Sequence, residues 1–454
     1  MPPLLAACGS NGSGQLAISH SQDANTLRPC CFHPSLDSVI GNAQVLDLVS
    51  ASTHSLLLLN LNTDSADPGN TSLLLGAGIN SVGQLGPRCA LWDEVKAETR
   101  FKAVDLLGPL GLAQADWEPI KIASTWTSSL VVYQRSPRAA LGSDSSAVKE
   151  EFAEQMVLAS GSNDFGELGT TRALDEGSPS NSSAKPTMVD LGLRRGEWVE
   201  RVEGGSRHFV AVISAGNGDA RKQRVVGWGA ARKGELDVSV LVGESAFEPP
   251  REAKGKGKGK SVARPLTLPP TELNLPIPVD THITDMSIGA SHTLILLANG
   301  DVLAWGSDTK GQITGLTEIR GVNGIAATWG GSYILKDHEI WSQGSNNQSQ
   351  LLRQTLDSDS ALEPVRIEEG WRARDLVAGS EHVIIVASRE DDESVWTGGW
   401  NEHGNLGMGD QTDRHELTRV DIKTAFPELG GRVKIRDAWG GCAATWVWLD
   451  FDRV

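Results

Sequence analysis

At 454 residues the chain is long enough for one large domain or two to three ordinary ones. Its 50 glycines argue for many short strands rather than long helices, and its net charge of −16 argues against a general nucleic-acid binder, whose footprint is basic. The five cysteines (Cys8, Cys30, Cys31, Cys89, Cys442) form no Cys-x-x-Cys and no paired metal spacing, so with no signal peptide they fit free thiols in a reducing compartment. No apolar run approaches the length of a membrane span. The expectation is a soluble protein of the cytoplasm, with the nucleus as a second location.

Along the chain one loop skeleton returns seven times: Gly-x-Asn-x-x-Gly-(Gln/Glu/Asn)-Leu-Gly. Its copies begin at Gly9, Gly78, Gly161, Gly229, Gly306, Gly344 and Gly399. The clearest carry Gly78 and Gly83, Gly161 and Gly166, and Gly399 and Gly404 at the two glycine positions. Glycine reaches positive φ without steric cost and Asn tolerates that region, while the Leu re-enters the core, so each copy reads as a tight reversal. A second signal keeps step with the first, a Gly-x-x-His followed by an apolar run. It carries His54, His208, His292 and His382, and three further copies replace the His by Ser128, Gly331 and Ala443.

The unit SHTLILLANGDVLAWG, Ser291 to Gly306, shows how these parts connect. Two apolar runs flank Asn299-Gly300, a hairpin signal, and the Leu294–Leu297 run reads as a strand buried on both faces. Such a hairpin-based sheet is too thin to stand alone. Stacked radially it buries both faces, which predicts an all-β, seven-bladed β-propeller of four-stranded antiparallel blades over residues 1–454. The N-terminus opens with a loop strand, Leu4–Ser10, and the C-terminus ends with a His-type strand, Cys442–Leu449; the two should pair and close the ring. Between core strands lie polar insertions at Asn60–Asn70, Arg135–Glu154, Thr170–Lys185 and Glu248–Pro278. The last, with its Lys-Gly run from Lys254 to Lys260, is expected to be disordered. A short helix is expected over Glu150–Met156.

No phosphate-cradling, zinc-protease or nucleophile-elbow motif is present, and neither a catalytic set, a cofactor site nor a metal site is expected. The four repeat histidines invite a metal reading. Their recurrence at one place in the repeat points instead to a structural hydrogen bond that pins each turn. His403 differs, because it sits inside a loop beside Glu402 and Trp400, and a partner-binding or loop-ordering role suits it better than acid–base work. Trp126 and Trp329 both occupy His-lacking copies, and Trp439 precedes the last one. Trp supplies rigid contact area with one donor, so Trp126, Trp329, Trp400, Glu402, His403 and Trp439 are the candidate partner-binding residues, with packing between blades as the alternative for the tryptophans.

The alternating loops and Gly-x-x-His strands resemble the regulator-of-chromosome-condensation repeat, a seven-bladed propeller whose members serve guanine-nucleotide exchange, ubiquitin ligation and scaffolding. A narrower resemblance rests on Gly9-Ser10-Asn11-Gly12, on Gly399-Trp400-Asn401-Glu402-His403-Gly404-Asn405 and on Gly440-Gly441-Cys442-Ala443-Ala444-Thr445-Trp446. These segments are similar to the fungal killer-toxin-insensitivity, or alpha-tubulin-suppressor, propeller. That resemblance implies a regulatory, non-catalytic subunit that forms a heterodimer with a small CSL-type zinc-finger electron carrier. Through it the chain would support diphthamide synthesis on elongation factor two and Elongator-dependent modification of the tRNA wobble uridine, with no membrane and no direct nucleic-acid contact. Nucleotide exchange on a Ran-type GTPase is the second reading and a ubiquitin-ligase adaptor the third.

Overall fold

The strands that follow the Gly-x-x-His turns lie beside those that lead into the glycine loops. His54 sits opposite Gly78, His208 opposite Gly229, His292 opposite Gly306 and His382 opposite Gly399. A computed structural model describes residues 4–37, 39–41, 43–61, 72–87, 97–136, 154–170, 185–216, 221–237, 266–353, 361–427 and 432–451. In it the repeat forms seven antiparallel sheets, numbered here as blades 1 to 7. From the innermost strand outward, blade 1 runs Gln44–Ser50, His54–Asn60, Ser72–Gly78, Glu98–Ala103. Blades 2, 3 and 4 begin at the inner strands Trp117–Ser124, Glu197–Gly204 and Ile283–Ile288, and blades 5 and 6 at Gly324–Ala327 and Arg372–Ala378. The inner strands line a central channel of about 890 Å³.

Blade 7 is composite. Val433–Gly441 and Ala444–Phe451 come from the C-terminus, Leu4–Gly9 and Ala24–Pro29 from the N-terminus, and Leu4 to Gly9 pair with Leu449 to Ala444. The ring closes as the order of signals along the chain requires. One detail of the sequence reading changes: Gly9 lies opposite Ala444, so Ala444, not Ala443, stands at the His position.

Burial follows from stacking. The second strand of each blade is covered on both faces by neighbouring blades, and Leu56–Leu59, Val210–Ile213, Leu294–Leu297 and Val383–Val386 are all at most 5% exposed. This is why those runs are continuously apolar rather than alternating. Blade 4 has three strands among the described residues. The short 3-10 turn Leu316–Glu318 follows in place of a fourth, and Leu316 packs with Val302, Ala304 and Val322.

The insertion Glu248–Pro278 is corrected in part. Thr267–Leu273 is the outer strand of blade 3, because Pro269 and Pro270 are tolerated on an edge strand, where a missing N–H costs no ladder bond. Gln155 and Met156, expected in a helix, open the strand Gln155–Gly161, which pairs with Ser128–Arg135. The Lys254–Lys260 run, the centres of the three other insertions and residues 150–153 of that helix lie outside the described residues.

The closure rests on one six-residue strand, so removing residues 1–10 should lower the melting temperature by on the order of ten degrees. A thermal melt followed by circular dichroism checks this, and an unchanged midpoint would contradict the closing role of Leu4–Gly9.

Candidate partner-binding face

The loop skeleton has a steric cause. The first glycine of every copy has φ between +102° and +119°. At Gly399 a Cβ would come 2.7 Å from the Glu381 carbonyl and 3.0 Å from the Cα of His382. Two residues on, the Asn side chain accepts the N–H of the apolar residue that re-enters the core. Asn80 holds Leu85 at 2.8 Å, Asn163 holds Leu168 at 2.9 Å and Asn401 holds Leu406 at 2.9 Å. Gly404 then sits at φ +76° against Asn25 of blade 7, so this loop also meets its neighbour.

In an antiparallel blade the turn between strands one and two and the loop between strands three and four share one end. The bond from Trp400 N–H to the Glu381 carbonyl, at 3.0 Å, joins the two in blade 6. The five candidate residues in these turns and loops therefore belong to one face of the propeller. Trp439, two residues before the end of the inner strand of blade 7, lines the channel toward that face. Around the channel mouth on that face, neighbouring turns are linked blade to blade. Cys442 N–H donates to Ser50, Ser52 Oγ to Trp126, Trp126 N–H to Ser206 and Ser206 Oγ to Ala290. Ala290 N–H then donates to Trp329, Trp329 N–H to Ser380 and Ser380 N–H to Gly441, each time to the carbonyl. Seven junctions thus carry seven bonds.

Trp126 belongs to blade 2 and Trp329 to blade 5, yet their rings meet with centroids 5.3 Å apart. With blades 3 and 4 between them along the ring, the two half-buried indoles come together over the channel. Trp439 lies in the channel wall, partly buried, and Asp47 lines the same channel. Trp400 and His403 form a separate edge-to-face pair at 5.4 Å, and His403 Nδ1 lies 2.7 Å from Asp23 Oδ2 of blade 7. Glu402 is exposed at the tip of the same loop.

Two residues that the sequence reading passed over join the face. The Arg207 guanidinium lies 5.3 Å from the Trp126 ring centroid and 4.0 Å from that of Phe165. Their signal was available, since both occupy variable positions of the repeat, as Trp126 and Trp400 do.

Three of the four repeat histidines bond across a junction rather than within their own turns. His54 Nε2 lies 2.8 Å from Ser129 Oγ, His292 Nε2 3.0 Å from Ser332 Oγ and His382 Nε2 3.0 Å from Thr445 Oγ1. Thr445 Oγ1 in turn donates to the Asn405 carbonyl, so His382 donates to Thr445 and is tied through it to the Gly399 loop. Neither ring nitrogen of His208 has a partner. Burial holds all four neutral, with pKa values of about 3 for His54 and about 4 for His208, His292 and His382.

The channel wall carries a further pattern. Six inner strands bulge at one level, and a charged residue follows each bulge: Asp47, Lys121, Arg201, Asp285, Asp375 and Asp437. Asp47, Asp285 and Asp437 each accept the next residue's N–H, which satisfies the group the bulge frees. Burial raises Asp47 to about 6 and lowers Lys121. Among the described residues no group of three or more His, Cys, Asp or Glu is placed to hold a metal ion.

A histidine with a depressed folded pKa takes up its proton more readily when unfolded, so its contribution is lost as pH falls from about 6.5 toward 4. The buried carboxyls Glu167 and Glu381, raised by burial to about 7, act in the opposite direction. The test is therefore a difference. The stability gap between the wild type and His292→Gln should shrink by roughly 2 kcal/mol between pH 7 and pH 5, and chemical denaturation at the two pH values measures it. A constant gap would contradict the buried neutral state.

Comparison with known proteins agrees with this geometry. A model of the "Regulator of chromosome condensation (RCC1) repeat" matches residues 283–312, which hold the inner strands of blade 4 and its loop. The ultraviolet-B receptor UVR8 of Arabidopsis thaliana is 27% identical over 275 residues, 56% of this chain and 54% of that protein. The regulator of chromosome condensation of Drosophila melanogaster is 23% identical over 286 residues, 57% and 44% of the two chains. The alignments thus span about half the length of these curated relatives. Among solved structures, human WBSCR16 superposes with a TM-score of 0.66 at 14% identity, covering 99% of this chain and 100% of its own. Prp20p of Saccharomyces cerevisiae gives 0.62 at 15%, covering 100% and 92%. The chain is a seven-bladed β-propeller with regulator-of-chromosome-condensation-like repeats.

Proposed function

We propose that the chain is a non-catalytic binding subunit whose Trp-bearing face receives a small CSL-type zinc-finger electron carrier. As that carrier's heterodimer partner it would support diphthamide synthesis and Elongator-dependent modification of the tRNA wobble uridine. The observation that carries the binding reading is the gathering of Trp126, Trp329, Trp400 and His403 on one face, with Trp439 lining the channel toward it. These are the positions where the copies depart from the skeleton that the fold requires. Trp and Arg on a rigid frame are the composition of interface hot spots. The identity of the partner rests on the resemblance of Gly399–Asn405 and Gly440–Trp446 to the killer-toxin-insensitivity propeller.

A second reading is supported by the comparisons. The Prp20p structure is described together with its binding to Gsp1p and histones, and the Drosophila relative is a regulator of chromosome condensation. Nucleotide exchange on a Ran-type GTPase is the corresponding alternative for this chain.

The discriminating experiment is a pull-down with purified CSL-domain protein and with nucleotide-free Ran-type GTPase. Retention of the CSL protein alone is expected, and retention of the GTPase alone would move the function to exchange. Truncating Trp126 or Trp400 to Ala should weaken CSL binding by about 2 kcal/mol or more, measured by calorimetry. Unchanged affinity in both variants would place the interface elsewhere on the ring.

A further inference from the structure

We infer that Arg207 is the centre of a carboxylate-binding site that receives an acidic segment of a protein partner. The inference rests on reading the Trp-bearing face as the partner-binding face, and adds the chemistry of what is recognised there.

Arg207 is held in an unusual way. Its guanidinium carbon lies over Phe165 at 4.0 Å and near Trp126 at 5.3 Å, so two rings of blade 2 hold a side chain whose backbone belongs to blade 3. A stacked guanidinium keeps its N–H edge available, because stacking occupies the faces and leaves the donors in the plane. Among the described residues no carboxylate lies within ion-pair distance of Arg207 and no acceptor takes its side-chain N–H groups. This sets it apart from Arg224, Arg374 and Arg414, whose guanidiniums are each bonded to an acid. Glu167 is close enough to feel its charge, but that carboxyl is turned inward to accept the Phe165 N–H at 2.7 Å.

The surroundings favour an anion. The bond from Ala230 N–H to the Arg207 carbonyl, at 2.9 Å, places Arg207 at the start of the blade 3 loop, whose tip carries the exposed Arg232 and Lys233. Lys233 and Lys310, with Glu381 on the blade 6 side, line a cleft of about 520 Å³ that Trp329 also borders, and the Trp329 ring meets Trp126 at a tilt of 53°. A basic arc therefore borders the aromatic pair on a chain whose net charge is −16. Planar, paired donors match the two oxygens of a carboxylate, and the neighbouring indoles offer an apolar seat for the residue beside it. An arginine held against aromatics also suits nucleic acid. A ligand with a charge on every residue, however, is repelled by the net charge of −16 more strongly than a segment whose carboxylates alternate with apolar residues.

The test uses the full chain and three fluorescein-labelled peptides, read by fluorescence anisotropy at low and high salt. One peptide alternates Glu with Leu, the second replaces every Glu by Gln, and the third replaces every Glu by phosphoserine. The Glu peptide should bind at least about tenfold more tightly than its Gln counterpart, with the difference shrinking at high salt. Arg207→Gln should abolish that preference. Arg207→Lys, which keeps the charge and loses the fork, should retain only a small part of it, and Lys310→Ala should weaken binding modestly while keeping it. Equal binding of the Glu and Gln peptides, or a preference that survives Arg207→Gln in a protein with unaltered melting, overturns the proposal. Tighter binding of the phosphoserine peptide than of the Glu peptide overturns the assignment to a carboxylate. The two readings fail separately. If the CSL protein binds through Trp126 and is indifferent to Arg207→Gln, the face stands and the carboxylate site falls. If the Glu peptide binds and the CSL protein does not, the site stands and the named partner falls.

Discussion

The fold depends on what joins one blade to the next. A four-stranded blade satisfies its own backbone ladder but cannot bury its own second strand, so the apolar burial of that strand is shared with its neighbours. The seven bonds around the channel mouth are the directional part of that sharing. Each contributes about 0.5–1.5 kcal/mol net, so the belt as a whole amounts to several kcal/mol, comparable to the total stability of an ordinary protein. Five of the seven donors are backbone N–H groups and all seven acceptors are backbone carbonyls. Two are the hydroxyls of Ser52 and Ser206. A belt built this way asks little of the side chains in the turns.

That indifference explains where the chain has been free to vary. Trp126 and Trp329 both take part in the belt through their backbone while their indoles meet over the channel. Arg207 likewise gives its carbonyl to Ala230 and leaves its guanidinium to stack on blade 2. The histidine position is more constrained, because three of the four rings reach the next blade's hydroxyl inside a closed interface. Where the ring is absent, the site is filled by Ser128, Gly331 or Ala444, and two of these three blades are the ones that carry the tryptophan pair.

Much of this was legible in the sequence because steric rules enforce it. A first glycine at φ above +100°, with a carbonyl where its Cβ would be, admits no other residue, so the glycines survive as a readable skeleton. The Asn that holds the N–H five residues on is legible for the same local reason. Ring closure followed from the order of two signals, which is a topological fact rather than a packing one. What could not be read was set by geometry between distant residues. Nothing in the spacing brings blade 2 to blade 5, and nothing in the Gly-x-x-His turn says that its ring will bond the following blade. The Pro269–Pro270 strand reads as linker because proline is depleted from strands, although an edge strand tolerates it. The charged level of the channel was hidden too, since a bulge shifts the alternation that would have marked Asp47 or Lys121 as inward-facing.

The candidate face combines these two kinds of position. Its frame is over-determined, with glycines, Asn bonds, belt and histidines all fixing the same turns, so side chains mounted on it lose little entropy when a partner arrives. The Trp126 indole N–H shows the cost of such mounting, since it is buried without an acceptor and forfeits about 1–3 kcal/mol. A purely structural optimum would have placed an apolar ring there, or an acceptor beside it. The indole N–H groups of Trp371, Trp396 and Trp446 and both ring nitrogens of His208 are buried without a partner as well. What distinguishes this face is therefore not the unpaired N–H but the gathering of Arg207 and Phe165 beside the Trp126–Trp329 pair.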